Sequence, residues 1–285
     1  EQYPVTAMCQ VLEVPRSSYY AWRKRPPSAR ERENDRLLAE IREIHAASNG
    51  NYGSPRIHDE LQERGWRCGR KRVARLMREA GLVGQQTRAW HPTTTQSDPG
   101  RTVAPDHLQR DFSAERPDEK WVSDITYIET AEGWLYLTAI LDLYSRRVIG
   151  WSMADHLRTE LVLQALEMAL ACRGDVAGVI HHSDRGTQYT SHAFQDRLHA
   201  EGILPSMGRT GDCYDNAVAE SFFATLKVEC VQGRVFTTRQ TARTAIFKYI
   251  ETFYNKWRSH STLDYASPIE FESQYEAQSV ACTLI

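Results

Sequence analysis

From residue 5 to about residue 80 the apolar positions recur every three or four residues. From about residue 120 they alternate or run on continuously, so a helical front precedes a mixed α/β part. VTAMCQVLEV and RSSYYAWRKR, parted by Pro15, predict two short helices, with Ser17 capping the second and Pro26-Pro27 stopping it. They form either a helix-turn-helix or an amphipathic hairpin. Leu37, Leu38, Ile41 and Ile44 predict a helix over 29–47, followed by a turn at Asn49-Gly50-Asn51. Ser54-Pro55 reads as a cap and a first-turn proline, opening a helix to about Arg64. After Gly65 and Gly69 a helix over 70–80 closes at Gly81. Val73, Leu76, Met77 and Ala80 are its packing side, and Lys71, Arg75 and Arg78 line the opposite one.

Residues 84–117 lose all periodicity. Thr93-Thr94-Thr95 with Pro92, Pro99, Gly100, Pro105 and Pro117 mark a linker or an extended arm; Arg88, Trp90 and His91 are placed to touch DNA, but a plain spacer is the favoured reading. Strands then follow: WVSDITYIE, a turn at Gly133, the long apolar WLYLTAILDLYS, and RRVIGWSMA, an antiparallel meander. Helix 158–172, strand 177–182, helix 191–201, strand 203–207, a loop with Gly208 and Gly211, and helix 215–229 complete a β-β-β-α-β-α-β-α order. That order predicts an α/β sandwich on a mixed five-stranded sheet. Helix 239–253 and the tail FYNKWRSHSTLDYASPIEFE trail off it, with Arg258 and His260 adding positive charge. The expected divisions are 1–27 (N-terminal helical segment), 28–83 (helix-turn-helix domain), 84–117 (linker), 118–235 (catalytic core) and 236–285 (C-terminal helix and tail).

Charge sharpens this division. The chain has 285 residues and a net charge of −2. Residues 1–100 hold 17 Lys or Arg against 12 Asp or Glu, and the remainder holds 18 against 25. A basic front and an acidic rear suit a DNA-reading module joined to a site that gathers cations. Residues 64–78 carry seven basic residues (Arg64, Arg67, Arg70, Lys71, Arg72, Arg75, Arg78) and no acidic one. Clustered and unpaired, they suit a recognition helix in the major groove better than a solvated face. The six cysteines form no CxxC pair, which excludes the usual zinc spacing and fits reduced thiols in the cytoplasm. No 18-residue apolar run and no signal peptide is present, so no membrane partner is expected. A start at Glu1 rather than Met is expected of a fragment or of the downstream part of a longer product.

Three carboxylates carry the candidate chemistry. Asp184 follows the apolar run Val179-Ile180 where a strand would emerge, and Gly186 breaks that strand. Glu220 lies mid-helix, with 35 residues between it and Asp184. Asn216, Glu220, Phe223 and Lys227 share one helix face, while Val218, Phe222 and Leu226 fall on another. Asp124 interrupts an apolar strand, where a carboxylate without a partner is rare. If the three converge they repel, by about 4 kcal/mol for two charges ~4 Å apart at an effective dielectric near 20. Hard divalent cations, Mg²⁺ with Mn²⁺ as substitute, would offset that repulsion. Two such ions would clamp the attacking and leaving oxygens of a phosphoryl displacement.

WVSDITYIET, LYLTAILDLYSRRVIGW, HHSDRGTQYTS and SMGRTGDCYDNAVAESFFATLKVE resemble the integrase-core transposases of bacterial insertion sequences. More specifically they resemble the downstream-frame product of elements that move by copy-out and paste-in. NGNYGSPRIHDEL, GRKRVARLMREAGLVG and YNKWRSHSTLDYASP extend the similarity over nearly the whole chain, in the family's order. The resemblance implies a ribonuclease-H-like, retroviral-integrase-like core behind a helix-turn-helix region. Its Asp-Asp-Glu triad, which holds the metal, falls on Asp124, Asp184 and Glu220. The implied reaction is cleavage of one strand at an element end by a metal-activated water, then direct attack of the freed 3′-OH on target DNA. In the family, a basic residue at the position of Lys227 contacts terminal DNA. Asn216, Arg70, Lys71, Arg72, Arg75 and Arg78 are further DNA-contact candidates.

The implied partners are the terminal inverted repeats and the target DNA, a second copy or larger assembly that joins two ends, and an upstream-frame DNA-binding partner or fusion. No covalent enzyme intermediate is implied, which leaves Ser183, Tyr189 and Tyr214 with structural or substrate-contact roles. His182 either touches the reacting groups or shapes the Asp184 loop by a hydrogen bond, the latter being favoured. Asp142 is expected to pair with Arg146 or Arg147 rather than bind metal. Asp212 and Asp215 flank a glycine loop that would close on DNA. A nuclease that cuts without joining and a non-catalytic DNA-binding regulator are the competing readings.

Overall fold

The structure, a computed structural model, describes residues 3–85, 104–208 and 216–283. It divides into two compact units, Glu1–Gly84 and Gln85–Ile285. Arg88, Trp90, His91 and the Thr93-Thr94-Thr95 run, together with Gly211, Asp212, Tyr214 and Asp215, lie outside the described residues.

The first unit is all helical: α1 (Val5–Val11), α2 (Arg16–Lys24), α3 (Ala29–Ala47), α4 (Ser54–Glu63) and α5 (Arg70–Glu79). Leu37, Ile41 and Ile44 of α3, Ile57 and Leu61 of α4, and Val73, Leu76 and Met77 of α5 make one buried core, joined by Tyr52. The spacing of apolar residues thus found the helices, but the caps differ. Helix α2 begins at Arg16 behind Pro15, which puts Ser17 inside the first turn. Helix α4 is capped by Gly53, so Ser54 and Pro55 are already helical. The side-chain cap the sequence does supply is Ser28, which accepts from the Glu31 N–H while its own N–H donates to Glu31.

The second unit is built on one five-stranded sheet in the order β3-β2-β1-β4-β5. Its strands are β1 (Lys120–Thr130), β2 (Gly133–Asp142), β3 (Val148–Ala154), β4 (Ile180–Ser183) and β5 (Leu204–Met207). The first three form an antiparallel meander, and β4 and β5 join β1 in parallel. Helices α6 (Thr159–Cys172) and α7 (His192–Ala200) cover one face, with Trp121, Ile140, Val162, Leu166, Phe194 and Leu198 in the core. Gly150 on β3 admits α6 closely, because a Cβ there would collide with the Ala165 carbonyl. By strand alternation Leu135, Leu137 and Ala139, all buried, point the other way. There α8 (Ala217–Leu226) and α9 (Arg239–Lys248) pack on β1 and β2. This is the ribonuclease-H-like α/β architecture.

Four segments depart from the sequence expectation. Both α8 and α9 widen into π turns, at Lys227–Val231 and Tyr249–Tyr254. Residues 104–117 belong to this unit: the His107 N–H donates to Ser206 Oγ (2.9 Å) and Leu108 is buried. The tail does not trail. Asn255 brackets Val148, accepting its N–H (3.0 Å) and donating to its carbonyl (2.9 Å). Helix α10 (Pro268–Thr283) buries Glu272 against Arg147, Arg173 and Ser145.

Candidate active site

Strand β1 pairs with β4 at Lys120↔Ile180, Trp121↔His181 and Val122↔His182, and then β4 ends at Ser183. Continued by two residues, that one-to-one register sets Asp124 level with Asp184. Neighbouring strands stand about 4.8 Å apart where they pair, so the two carboxylates rise side by side where the ladder opens. Asp124 is anchored as it emerges: its Oδ1 accepts the Ile125 N–H (2.7 Å), and its carbonyl accepts from Thr138 Oγ1. Asp184 Oδ1 accepts the Gly186 N–H (2.9 Å). A Cβ at Gly186 would lie 2.9 Å from that same oxygen, so a larger residue there would push the Asp184 carboxylate aside.

Helix α8 brings the third acid. Glu220 is exposed on its first turn. Burial pushes the Asp124 carboxyl well above its usual range, and the charges of Asp184 and, less strongly, Glu220 add to this. The Ile125 amide and the Lys227 ammonium oppose them. Desolvation lowers Lys227, while the charge of Asp124 supports its cation. Its Nζ stands 5.0 Å over the Tyr127 ring.

Among the described residues, no three of His, Cys, Asp and Glu are gathered tightly enough to hold an ion as they stand. The donor chemistry nonetheless suits a hard divalent cation. The three acids supply carboxylate oxygens only, and the charges of Asp184 and Glu220 raise the proton affinity of Asp124, with one lysine nearby.

The surrounding side chains have structural partners. Buried His182 shares a hydrogen bond with Ser206 Oγ on β5 (2.8 Å), which fixes the end of β4. Tyr189 is buried beneath the acids, its hydroxyl 3.3 Å from Thr138 Oγ1, and Ser183 Oγ donates to the Asp184 carbonyl. Sequence reasoning overlooked Arg185, whose Nε donates to the Gly208 carbonyl (2.7 Å) and ties the Asp184 loop to the end of β5. Its position directly after Asp184 was the available signal.

Asn216 does not face outward with Glu220. It is buried, and its Nδ2 donates to the Ser123 carbonyl (3.0 Å). Asp142 pairs with neither Arg146 nor Arg147. It accepts the N–H groups of Asp118, Tyr144 and Ser145, and the cation that most lowers its pKa is Arg173. Arg258 and His260 add no surface charge: both are buried, and Arg258 is matched to Glu229 (2.8 Å).

Over residues 64–78 the expected run of unpaired cations is divided. Arg72 bonds Glu33 and Asn34 of α3, Arg75 pairs with Glu79, and Arg64 binds Glu40, Glu43 and Glu60. Arg70, Lys71 and Arg78 are exposed and make no ion pair with described residues.

Three family models match the chain. Residues 114–213 and residues 220–275 each match an integrase core domain, and residues 32–90 match an HTH-like domain. The chain is 41% identical over 275 residues to the transposase InsF for insertion sequence IS3A of Escherichia coli (strain K12), covering 96% of this chain and 95% of the relative. It is 42% identical over 268 residues to the insertion element IS600 uncharacterized 31 kDa protein of Shigella sonnei, covering 94% and 98%. Among solved structures it is similar to the HTLV-2 integrase catalytic core domain in complex with magnesium, at 16% identity and a TM-score of 0.41, over 56% of this chain and 99% of that one.

Proposed function

The chain belongs to the insertion-sequence transposases that carry an integrase core, and on that premise we propose that Asp124, Asp184 and Glu220 are its catalytic acids. The reaction is single-strand cleavage at the element's ends followed by transfer of the freed 3′-OH to target DNA. The observation that carries this reading is the continued register of Asp124 and Asp184 on parallel strands, with the charge of Glu220 felt at Asp124.

The three carboxylates would hold two Mg²⁺ ions, or Mn²⁺ in their place. Bound there, the ions would supply Lewis acidity to phosphodiester cleavage and transfer. The protein's own part is to fix the acids. Ile125 and Gly186 orient Asp124 and Asp184 through backbone N–H groups, and Thr138 and Tyr189 form a buried polar floor. No serine or tyrosine is needed as nucleophile.

Lys227, held over Tyr127, offers its ammonium to a phosphate of the terminal DNA. Arg70, Lys71 and Arg78 of the helix-turn-helix domain offer three more cations to the duplex. Arg72 and Arg75 are engaged within the unit and serve DNA less directly. Joining two ends requires a second copy or a larger assembly, and an upstream-frame partner or fusion would complete recognition of the terminal repeats. Among the described residues no helix is long and apolar enough to cross a membrane, and the site of action proposed is DNA in the bacterial cytoplasm.

The test is strand transfer of a labelled, pre-cleaved DNA end into target DNA, comparing wild type with Glu220→Gln, in Mg²⁺ and in EDTA. Joined product from wild type with Mg²⁺ alone is expected. Cleavage without joining would replace the transposase reaction by a simple nuclease.

A further inference from the structure

Helix α8 presents exposed Glu220 between two buried polar anchors. The first is Asn216, 8% exposed, at the N-cap. The Glu119 carbonyl accepts from Ile180 of β4, so carbonyls of the same parity on β1, Ser123 included, point toward β4. By Ser123 the ladder has ended, since the pairing covers only Lys120, Trp121 and Val122. The Asn216 amide takes the place of the missing strand and donates to the Ser123 carbonyl. The start of the helix is thereby fastened to the backbone directly before Asp124.

The second anchor is Glu229, in the π turn that continues α8. Its carboxylate accepts from Arg258 Nε (2.9 Å) and Nη2 (2.8 Å) and from the Tyr249 hydroxyl (2.8 Å). The Arg258 and Glu229 side chains are only 8% and 6% exposed. Arg258 is steadied in turn by the Tyr254 ring, 5.7 Å away, and by His260 at 3.3 Å. Three residues earlier, Asn255 fastens the same segment to Val148 on β3. The pair therefore connects the end of the Glu220 helix to the segment that Asn255 fastens to edge strand β3, beside the edge-to-face contact of Phe222 with Tyr254 (4.9 Å).

A buried ion pair contributes little net stability compared with an apolar pair of the same volume, so its distinctive effect is to select one geometry. A helix held at one end can pivot and roll, and one held at both ends cannot. Near-attack chemistry is sensitive to this, because a misplacement of about 1 Å costs on the order of 10²-fold in rate.

We infer that Asn216 and the Glu229–Arg258 pair are positioning residues that hold Glu220 against Asp124 and Asp184. The inference rests on the proposed catalytic role of Glu220.

The test uses the full chain and five forms: wild type, Glu220→Gln, Asn216→Ala, Arg258→Lys, and the double variant Glu229→Met with Arg258→Met. The double variant removes both charges at similar volume and leaves no orphan ion. Arg258→Lys, which keeps the charge but loses the two-nitrogen grip, serves as the conservative form. Metal-dependent cleavage of a labelled element end is measured for kcat and KM, and amide hydrogen exchange is followed in 217–226 and in 120–130.

Expected are variants that melt within a few degrees of wild type and bind the DNA end with unchanged KM. Their kcat should fall on the order of 10²-fold, with Arg258→Lys intermediate. Exchange should quicken in 217–226 and stay slow in 120–130. Wild-type kcat and unchanged exchange in the folded double variant and in Asn216→Ala, with Glu220→Gln inactive, overturn the positioning role alone. Full activity in Glu220→Gln overturns it together with the catalytic reading. Losses in kcat that track loss of melting temperature across all forms also overturn it, as ordinary structural damage.

Discussion

The backbone N–H of Asp118 donates to the Asp142 carboxylate at 2.7 Å, clipping the approach to β1 onto the end of β2. Asp142 is fully buried, and burial pushes its pKa up to about 6, against 3.8 for an unperturbed Asp. A raised folded-state pKa contributes stability that is fully present below about 3.8 and lost as pH rises through about 6. The gap between 3.8 and about 6 corresponds to about 3 kcal/mol. Glu272 acts oppositely, its carboxyl held below 4.5 by Arg173, Ser145 and Arg147 against the effect of burial, so its contribution is lost only at lower pH. Asp142→Asn is expected to flatten the pH dependence of unfolding free energy between pH 4 and 6 relative to wild type, measured by urea titration.

Asp184→Asn should abolish metal-dependent joining while leaving duplex binding intact. Loss of a group that merely orients a metal ligand costs about 10–100-fold, so removing Asp184, a ligand on the proposed function, should exceed that range. Gel-based strand transfer and binding by anisotropy on the same preparation separate the two effects.

The split within α5 predicts two kinds of variant. Arg70→Ala, Lys71→Ala and Arg78→Ala should each weaken DNA binding and reduce the slope of log K against log salt by about 0.9. Arg72→Ala should instead lower the stability of the helical unit, because its guanidinium bonds Glu33 and Asn34. Salt-dependent binding and thermal melting, run side by side, tell these apart.

Arg173→Ala should destabilise the second unit by about 3–5 kcal/mol, since it leaves the buried Glu272 carboxylate short of its main partner. Replacing Arg173, Arg147 and Glu272 together by apolar residues should recover much of that loss. Denaturant titration of the single and triple variants measures both.

Much of this architecture was legible because apolar periodicity is a local signal. Leu37, Ile41 and Ile44 announce α3, and the alternation around Asp124 announces β1. The positions of Asp184 and Glu220 followed from the strand and helix that carry them. What escaped depends on partners distant in sequence. Nothing local says that Arg258 meets Glu229, or that Glu272 meets Arg173, and charged residues in a tail read as solvated by default. Asn216 shares a helix face with Glu220 on paper, yet it sits at the cap, where its amide reaches backbone rather than solvent. The π turn after Leu226 was hidden because a single widened turn barely disturbs a 3.6-residue pattern. The Asp142 turn did carry a signal: an Asp two and three residues before free backbone amides bonds them ahead of any arginine.

The five-stranded sheet has two margins, and the chain's own segments occupy both. At β3, Asn255 takes both backbone groups of Val148, and Arg243 binds the Met153 carbonyl. At β5, the Met207 N–H meets the Pro105 carbonyl. Unoccupied margins are templates for strand addition between copies. On the proposed function several copies would crowd onto neighbouring DNA ends, and strands as apolar as β2 would meet that hazard there. With both borders partly taken by the chain's own segments, copies brought together in that way would meet more readily through helices and loops than by adding strand to strand.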